Sequence, residues 1–455
     1  MKTQSPLKIS IQRLKLFEVA RTTVAVAIAC IFFFYPATVC FKIIFDPSLR
    51  NGGISAYTVA QFPKVSDRFR KWAVAYTSSQ RAEKVDLSNC AATEWPIFGS
   101  VFYLLAAEEI QRIVLDRHDP DADKIRLAIK NASEAAIEVV VDPKTASWVK
   151  QKWGESYLSK ENVFYRMLLI MGLSSYENVT ADSKYRLLLK SQAESLAAEL
   201  DAAPYHVLDD YPGECYPSDV LWAVAAILRS DRILGSDHSH LKDGLIKAFL
   251  ARSLTKEGLP AYAVDKNTGF PTAVARGCAN SGILIFASEL NAEIAQQWYG
   301  KHEKYFWQEN RWIRGFREFT RDHSGEWRDV DTGPIIGGYG SVASLFGIGA
   351  ARTVGRMDHS VPLTMEVFAL SWPSPFGLLI PSFLSYVGTG AECLGDVAVV
   401  FLMTRPIASE YFVSFDGSIP LIVWIALGFY VAGGALILVD QWFYWVKILQ
   451  RKRRE

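Results

Sequence analysis

The chain has 455 residues, half of them hydrophobic and 13% aromatic, which excludes a disordered chain and exceeds what one small core needs. A net charge of +1 offers no basic field for nucleic acid. The six cysteines and seven histidines are scattered, with neither CxxC nor HExxH spacing, so no metal site and no cofactor is expected.

Residues 1–21 are basic: Lys2, Lys8, Arg13, Lys15 and Arg21 stand against Glu18. The stretch 22–41, "TTVAVAIACIFFFYPATVCF", carries no charge and is long enough to span a bilayer. The positive-inside rule places the N-terminus in the cytoplasm. A cleaved signal peptide is the alternative; the length of the run and the lack of a small-x-small site after it favour a retained anchor. Residues 418–439, "SIPLIVWIALGFYVAGGALILV", form a second span. Trp442, Tyr444 and Trp445 follow at interface depth, and the tail over 440–455 is basic. Both termini are thus expected inside an inner or plasma membrane, with residues 50–410 outside the cytoplasm. A third uncharged run, 367–391, holds Pro373, Pro375 and Pro381 and is expected to be a buried or membrane-facing part of the large domain rather than a crossing.

Between the spans, short apolar helices recur. They begin near Ile97, Val163, Val220, Ile283, Val342 and Val397, at gaps of 66, 57, 63, 59 and 55 residues. Amphipathic helices alternate with them, around 55–79, 121–140, 180–200, 240–253, 292–306 and 360–370. "KYRLLLKSQAESLAAEL" is an example, with apolar positions at helical spacing. About twelve helices in hairpins of one apolar and one amphipathic member indicate a repeat architecture.

The loops leading into the apolar helices are acidic. They carry Glu94, Glu161, Asp209, Asp210, Glu214, Asp219, Asp329, Asp331, Glu392 and Asp396. Helix capping and the helix dipole account for one acid per helix. They do not readily account for "DDYPGECYPSD" over 209–219, with four acids in eleven residues, nor for "DVDTGP" over 329–334. Prolines hold both loops stiff. Facing loops with paired carboxylates suit general acid and base work, as glycoside hydrolysis requires, with carboxyls about 6.5–9.5 Å apart for inversion and about 5–5.5 Å for retention. Asp331, Asp329, Asp210, Glu214 and Asp219 are therefore the candidate catalytic acids. Asp329 and Asp331, two apart on an extended segment, share a direction, and the glycines at 337, 338 and 340 keep backbone bulk off the cavity. Tyr211, Tyr216, Trp327 and Tyr339, with Asn280, are the candidate substrate contacts; Trp95 reads as core.

The beat and helix number resemble the (α/α)6 toroid of six-hairpin glycosidases and of linalool dehydratase/isomerase over residues 50–405. The resemblance is one of architecture: no motif carries catalytic residues across. It implies an all-α ring with apolar helices inside and amphipathic ones outside. An open α-solenoid is the structural alternative. In a closed ring, Cys215 would neighbour Cys278, and Cys90 would neighbour Cys393, so two disulfides are expected if the domain is extracytoplasmic. The opposite reading keeps Cys215, between Glu214 and Tyr216, as a nucleophile or acid.

Three functions follow. The first is a membrane-anchored carbohydrate-active enzyme, a hydrolase or lyase of envelope or exopolysaccharide. The second is a lyase or isomerase of a small hydrophobic alcohol, for which a narrow apolar cavity and a free thiol are expected. The third is a non-catalytic envelope scaffold. The expected partners are membrane lipid and a carbohydrate or small-molecule substrate; no nucleic acid is expected, and no partner protein is identifiable. Sequons at Asn131 and Asn178 matter only in a glycosylating host.

Overall fold

Apolar and amphipathic windows alternate along the chain, and each becomes a helix. The computed structural model describes residues 6–117, 120–323, 328–329, 331–391 and 393–454 and is mostly helical. In chain order the helices are α1 (Pro6–Ala29), α2 (Tyr35–Ile44), α3 (Pro47–Arg50), α4 (Ala56–Ser78), α5 (Cys90–Asp116), α6 (Ala122–Val141), α7 (Ser147–Trp153), α8 (Val163–Thr180), α9 (Arg186–Ala202), α10 (Pro217–Leu234), α11 (His240–Ala248), α12 (Gly277–Leu290), α13 (Ala292–Phe306), α14 (Ser341–Thr353), α15 (Met357–Leu370), α16 (Leu379–Thr389), α17 (Cys393–Thr404) and α18 (Leu421–Arg454).

Phe17–Arg50 and Leu421–Arg451 are long and apolar enough to cross a membrane. They pack antiparallel: Trp445 Nε1–H donates to Thr22 Oγ1 at 2.9 Å, while Phe33 meets Phe429 with ring centroids 6.1 Å apart. A π-turn over Cys30–Phe34 separates α1 from α2. Its cause is Pro36, which has no N–H to give to the carbonyl of Phe32. Trp372 takes that carbonyl instead, its Nε1–H donating at 2.8 Å. Cys90–Asp116 is also long and apolar enough, but 67% of its apolar window is buried within the protein, so its hydrophobicity serves the core.

The six apolar helices anticipated from the beat are α5, α8, α10, α12, α14 and α17. Each packs against the next in that order, and α17 packs back against α5. Small and aliphatic residues make this possible; Ile97, Val101, Ile170, Ala226, Ile285, Ala350 and Phe401 are fully enclosed. The amphipathic helices cover them, with α6 on α5, α9 on α8, α13 on α12 and α15 on α14. On α9, Leu189, Ala193, Leu196 and Leu200 are buried, the three- and four-residue spacing of one helix face.

Short strands interrupt the helices between α13 and α14 and after α15: β1 (Trp307–Glu309), β2 (Arg314–Phe316), β3 (Arg328–Asp329), β4 (Gly333–Ile336), β5 (Tyr339–Gly340), β6 (Pro373–Ser374) and β7 (Gly377–Leu378). β3, β4 and β5 form an antiparallel sheet. Ile336 faces Tyr339 across a two-residue turn, and Gly337 and Gly338 in that turn have φ of +61° and +88°. These two glycines therefore close a hairpin of the primed type, rather than making room beside a cavity.

The 367–391 run is not one long helix. It divides into the end of α15, the β6–β7 hairpin and α16. One side of α16 packs on α5 and α17, while Phe383, Leu384, Tyr386 and Val387 are exposed.

Candidate functional site

The N-terminal ends of α5, α10, α12 and α14, with the loops that lead into them, surround a cavity of about 350 Å³. One turn into α5, α10, α12 and α14 its wall is formed by Phe98, Trp222, Gly282 and Phe346, and Trp95, Phe164 and Val342 add apolar surface nearer the helix starts. Trp222 fixes this wall. Its Nε1–H donates to Gly282 O at 2.8 Å, and its ring stacks on Phe98 (5.9 Å) and meets Phe286 edge-on (4.7 Å). The helix starts and the loops before them also bring polar groups to the lining: Glu94, Glu214, Asp219 and Asp331, with Tyr211, Tyr216 and Tyr262 and the thiols of Cys90 and Cys278.

Each of three carboxylates receives a hydrogen bond from a tyrosine. Tyr211 donates to Glu94, Tyr262 to Asp331, and Tyr216 to Glu214 at 2.8 Å. Tyr216 and Tyr262 pack edge to face at 5.2 Å, and the Arg276 guanidinium lies 4.3 Å over the Tyr262 ring. Burial pushes the Glu94 carboxyl up to about 7, with the Asp331 charge adding to the rise and the Tyr211 bond opposing it. Burial, then the negative charges of Asp331 and Glu94, push Asp219 up as well. Near neutral pH the site thus holds a protonated carboxyl beside carboxylates, the condition for one group to give a proton while another takes one. Burial and the neighbouring acids hold all three tyrosines well above their usual value, so they remain phenolic donors.

Asp331 occupies the turn between β3 and β4 and is exposed at the rim. Asp329 pairs with Gly333 through its backbone; its side chain, like Trp327 and Glu392, lies outside the described residues. Glu214 and Asp219 line the cavity as expected, with Tyr211 and Tyr216.

Asp210 and Cys215 do not line it. Asp210 is 1% exposed and accepts the Tyr216 N–H at 3.0 Å; with Asp209, which accepts the Gly213 N–H at 2.9 Å and pairs with Lys266 at 2.9 Å, it holds the 209–219 loop in shape. Cys215 is buried behind that loop, its carbonyl accepting the Val264 N–H at 3.0 Å, and burial beside Asp210 drives its thiol pKa far up. It is placed neither as nucleophile nor as acid. Asn280 is enclosed and donates to the carbonyls of Pro260 (3.1 Å) and Arg276 (3.0 Å), while Tyr339 accepts from Asn310 and donates to Ile313 O; both are structural. Asp396 lies elsewhere, paired with Arg68 at 2.5 Å.

The expected bridges Cys215–Cys278 and Cys90–Cys393 are not formed: none of the six cysteines is in a disulfide. The Cys278 thiol instead donates to Glu318 Oε1 at 3.1 Å, and its N–H to Glu318 Oε2 at 3.1 Å. Glu318, fully buried, also takes Arg276 Nε at 2.7 Å. This carboxylate secures the start of α12, where a Cβ on Gly277 would lie 1.9 Å from Arg317 O.

Glu94, Tyr262, Cys90 and Cys278 also line the site, as does Trp95, which the sequence placed in the core. Glu94 was legible: it is the one charge between Cys90 and Ala107, within an otherwise apolar helix. Tyr262 was not, because it comes from the irregular loop before α12, where no period applies. No protein-family model matches this chain, and a search of curated proteins finds no similar sequence.

Proposed function

We propose that this protein is a membrane-anchored (α/α)6 toroid enzyme, a lyase or isomerase that acts by acid–base chemistry on a small, largely hydrophobic alcohol. The observation that carries the reading is the mixed lining of one cavity: carboxyls and phenols gather near the helix starts, with Trp95 and Phe164 beside them and Phe98, Trp222 and Phe346 one turn along their helices. An apolar body packs on these rings and a hydroxyl meets the acids. The closed order of helix contacts, α5 to α17 and back to α5, supports the toroid. A sugar ring, polar on all sides, suits this wall less well, which moves the carbohydrate reading to second place.

In the proposed step, Glu94 donates its proton to the substrate hydroxyl, which leaves as water. Asp331 removes a proton from the adjacent carbon, and the electron pair of that C–H bond forms the new double bond. Asp219, also held toward its protonated form, is the second proton store. The same groups run in reverse add water, and successive loss and return of water moves the hydroxyl.

The antiparallel pair of terminal helices supports both termini lying on one side of the membrane, and the basic ends, Arg13 and Lys15 at one and Lys447 to Arg454 at the other, support the cytoplasmic side. The exposed apolar face of α16 suits contact with the bilayer surface from the other side.

Conversion of small tertiary and allylic alcohols by the purified protein, followed by gas chromatography, tests the reading. Turnover is expected to fall as pH rises through about 7, when Glu94 loses its proton, and to be absent in Glu94→Gln at every pH. Stability carries the same sign. The folded value of Glu94, about 7, lies above its ordinary 4.5, so its contribution is fully present below 4.5 and is lost as pH rises to about 7. Glu94→Gln, which cannot ionise, flattens that part of the stability curve. A turnover that rises with pH across this range would rule out Glu94 as the acid.

A further inference from the structure

The C-terminal ends of α5, α14 and α17, opposite the end of α5 that carries Glu94, line a second, open cavity of about 300 Å³. Arg112, Arg117, Arg352 and Arg405 line it, with Asp116 as the acid among the lining residues. Arg112 is already held by Glu109 at 3.0 Å and Asp116 at 3.2 Å. Arg352 and Arg405 are 2% and 1% exposed, and among the described residues neither forms an ion pair with a carboxylate.

Backbone carbonyls hold them instead. Arg352 donates to Arg405 O (3.1 Å), Gly53 O (3.2 Å) and Gly52 O (3.1 Å). Arg405 donates to Phe401 O (3.3 Å) and Leu105 O (3.1 Å), and its Nη1 finds no partner among the described residues. Arginine at a helix C-terminus commonly caps carbonyls and favours the dipole, which accounts for these bonds. It does not account for two buried like charges beside an open pocket. Burial and repulsion from Arg405 bring Arg352 down to about 10. Arg405 is also brought to about 10 by burial; Glu109, Glu108 and Glu289 offset this and Arg229 adds to it. Those three acids are already engaged, Glu109 by Arg112 and the others by Arg229 at 2.6 and 3.4 Å. Buried charge is normally paired, and carbonyls supply hydrogen-bond geometry without a full countercharge.

We propose that this cavity binds an oxyanion, a phosphate or sulfate group, with Arg352 and Arg405 as its inner ligands and Arg117 at its edge. Guanidinium groups match such oxyanions with paired charge-assisted hydrogen bonds. Two sources offer this chemistry. Gly52 and Gly53 line the cavity beyond a helical stretch, Tyr35–Ile44, that is packed against the protein, which favours free phosphate or sulfate; a phospholipid head group is the other source.

The test uses the full-length protein in detergent. Inorganic phosphate and sulfate are titrated against chloride at equal ionic strength, with the thermal midpoint as readout, and retained phospholipid is measured by native mass spectrometry. A saturable rise with phosphate that Arg405→Gln abolishes establishes the site with a free oxyanion. No rise, but one phospholipid per chain that Arg405→Gln releases, establishes it with a head group. Arg117→Gln, at the exposed edge, keeps the test open should Arg405→Gln fail to fold; it is expected to weaken binding about tenfold by loss of a charged hydrogen bond. The absence of both a rise and a retained lipid would overturn the proposal, as would a rise that both variants leave unchanged.

Discussion

Asp331→Asn is expected to lower turnover of a small hydrophobic alcohol by about a hundred- to ten-thousand-fold, the usual worth of a positioned acid–base group. Stability should change by about 1 kcal/mol or less: Asp331 is exposed in a turn, and the Tyr262 hydrogen bond it accepts is worth about that much net. The variant also has a readout independent of the rate. The Asp331 charge raises the carboxyls of both Glu94 and Asp219. Its removal therefore shifts the alkaline limb of any residual pH profile toward lower pH. Tyr262→Phe, which removes the hydrogen bond to Asp331 and leaves the charge, should cost about tenfold. Undiminished turnover in Asp331→Asn would remove this residue from the mechanism.

Trp222→Ala is expected to destabilise the fold by about 3–5 kcal/mol, the range for a large aromatic cut from a packed core. The side chain is 3% exposed, it stacks on Phe98, and its indole N–H is spent on Gly282 O. Its loss leaves that carbonyl without a donor and a void in the wall where α10 meets α12. Trp222→Phe keeps most of the ring packing and should cost roughly half as much, the carbonyl still losing its donor. Denaturant titration of the detergent-solubilised chain reads both. The same enlargement should admit bulkier alcohols, so specificity and stability move together. An alanine variant as stable as the parent would mean that this wall is not packed.

The helices were legible because periodicity is a local property. Ile97, Val163, Val220, Ile283, Val342 and Val397 each fall inside an apolar helix, and the acids that precede three of these positions, Glu94 and Asp219 already within their helices and Asp331 in a turn, reach a single cavity. What was not legible depends on direction. Asp210 and Asp219 read alike in sequence, yet Asp210 points back to the Tyr216 N–H because the loop turns at Gly213, where φ is +84°. Cys215 and Cys278 come from neighbouring helix starts, but one is sealed behind the loop and the other is held by Glu318, a residue from a strand-rich segment that no helical beat announces. Tyr262 was missed for the same reason: irregular chain carries no period, and its contacts are fixed only once the helices are in place.

Cys90 is exposed and lines the cavity beside Glu94, so it reports what the cavity holds. The most direct test is the rate at which a maleimide alkylates Cys90, with Cys30→Ser removing the other exposed thiol. Saturable protection by a small branched alcohol, absent with its parent alkane and with oligosaccharides, is the predicted result. Protection by oligosaccharides and none by the alcohol would contradict the account and return the cavity to carbohydrate.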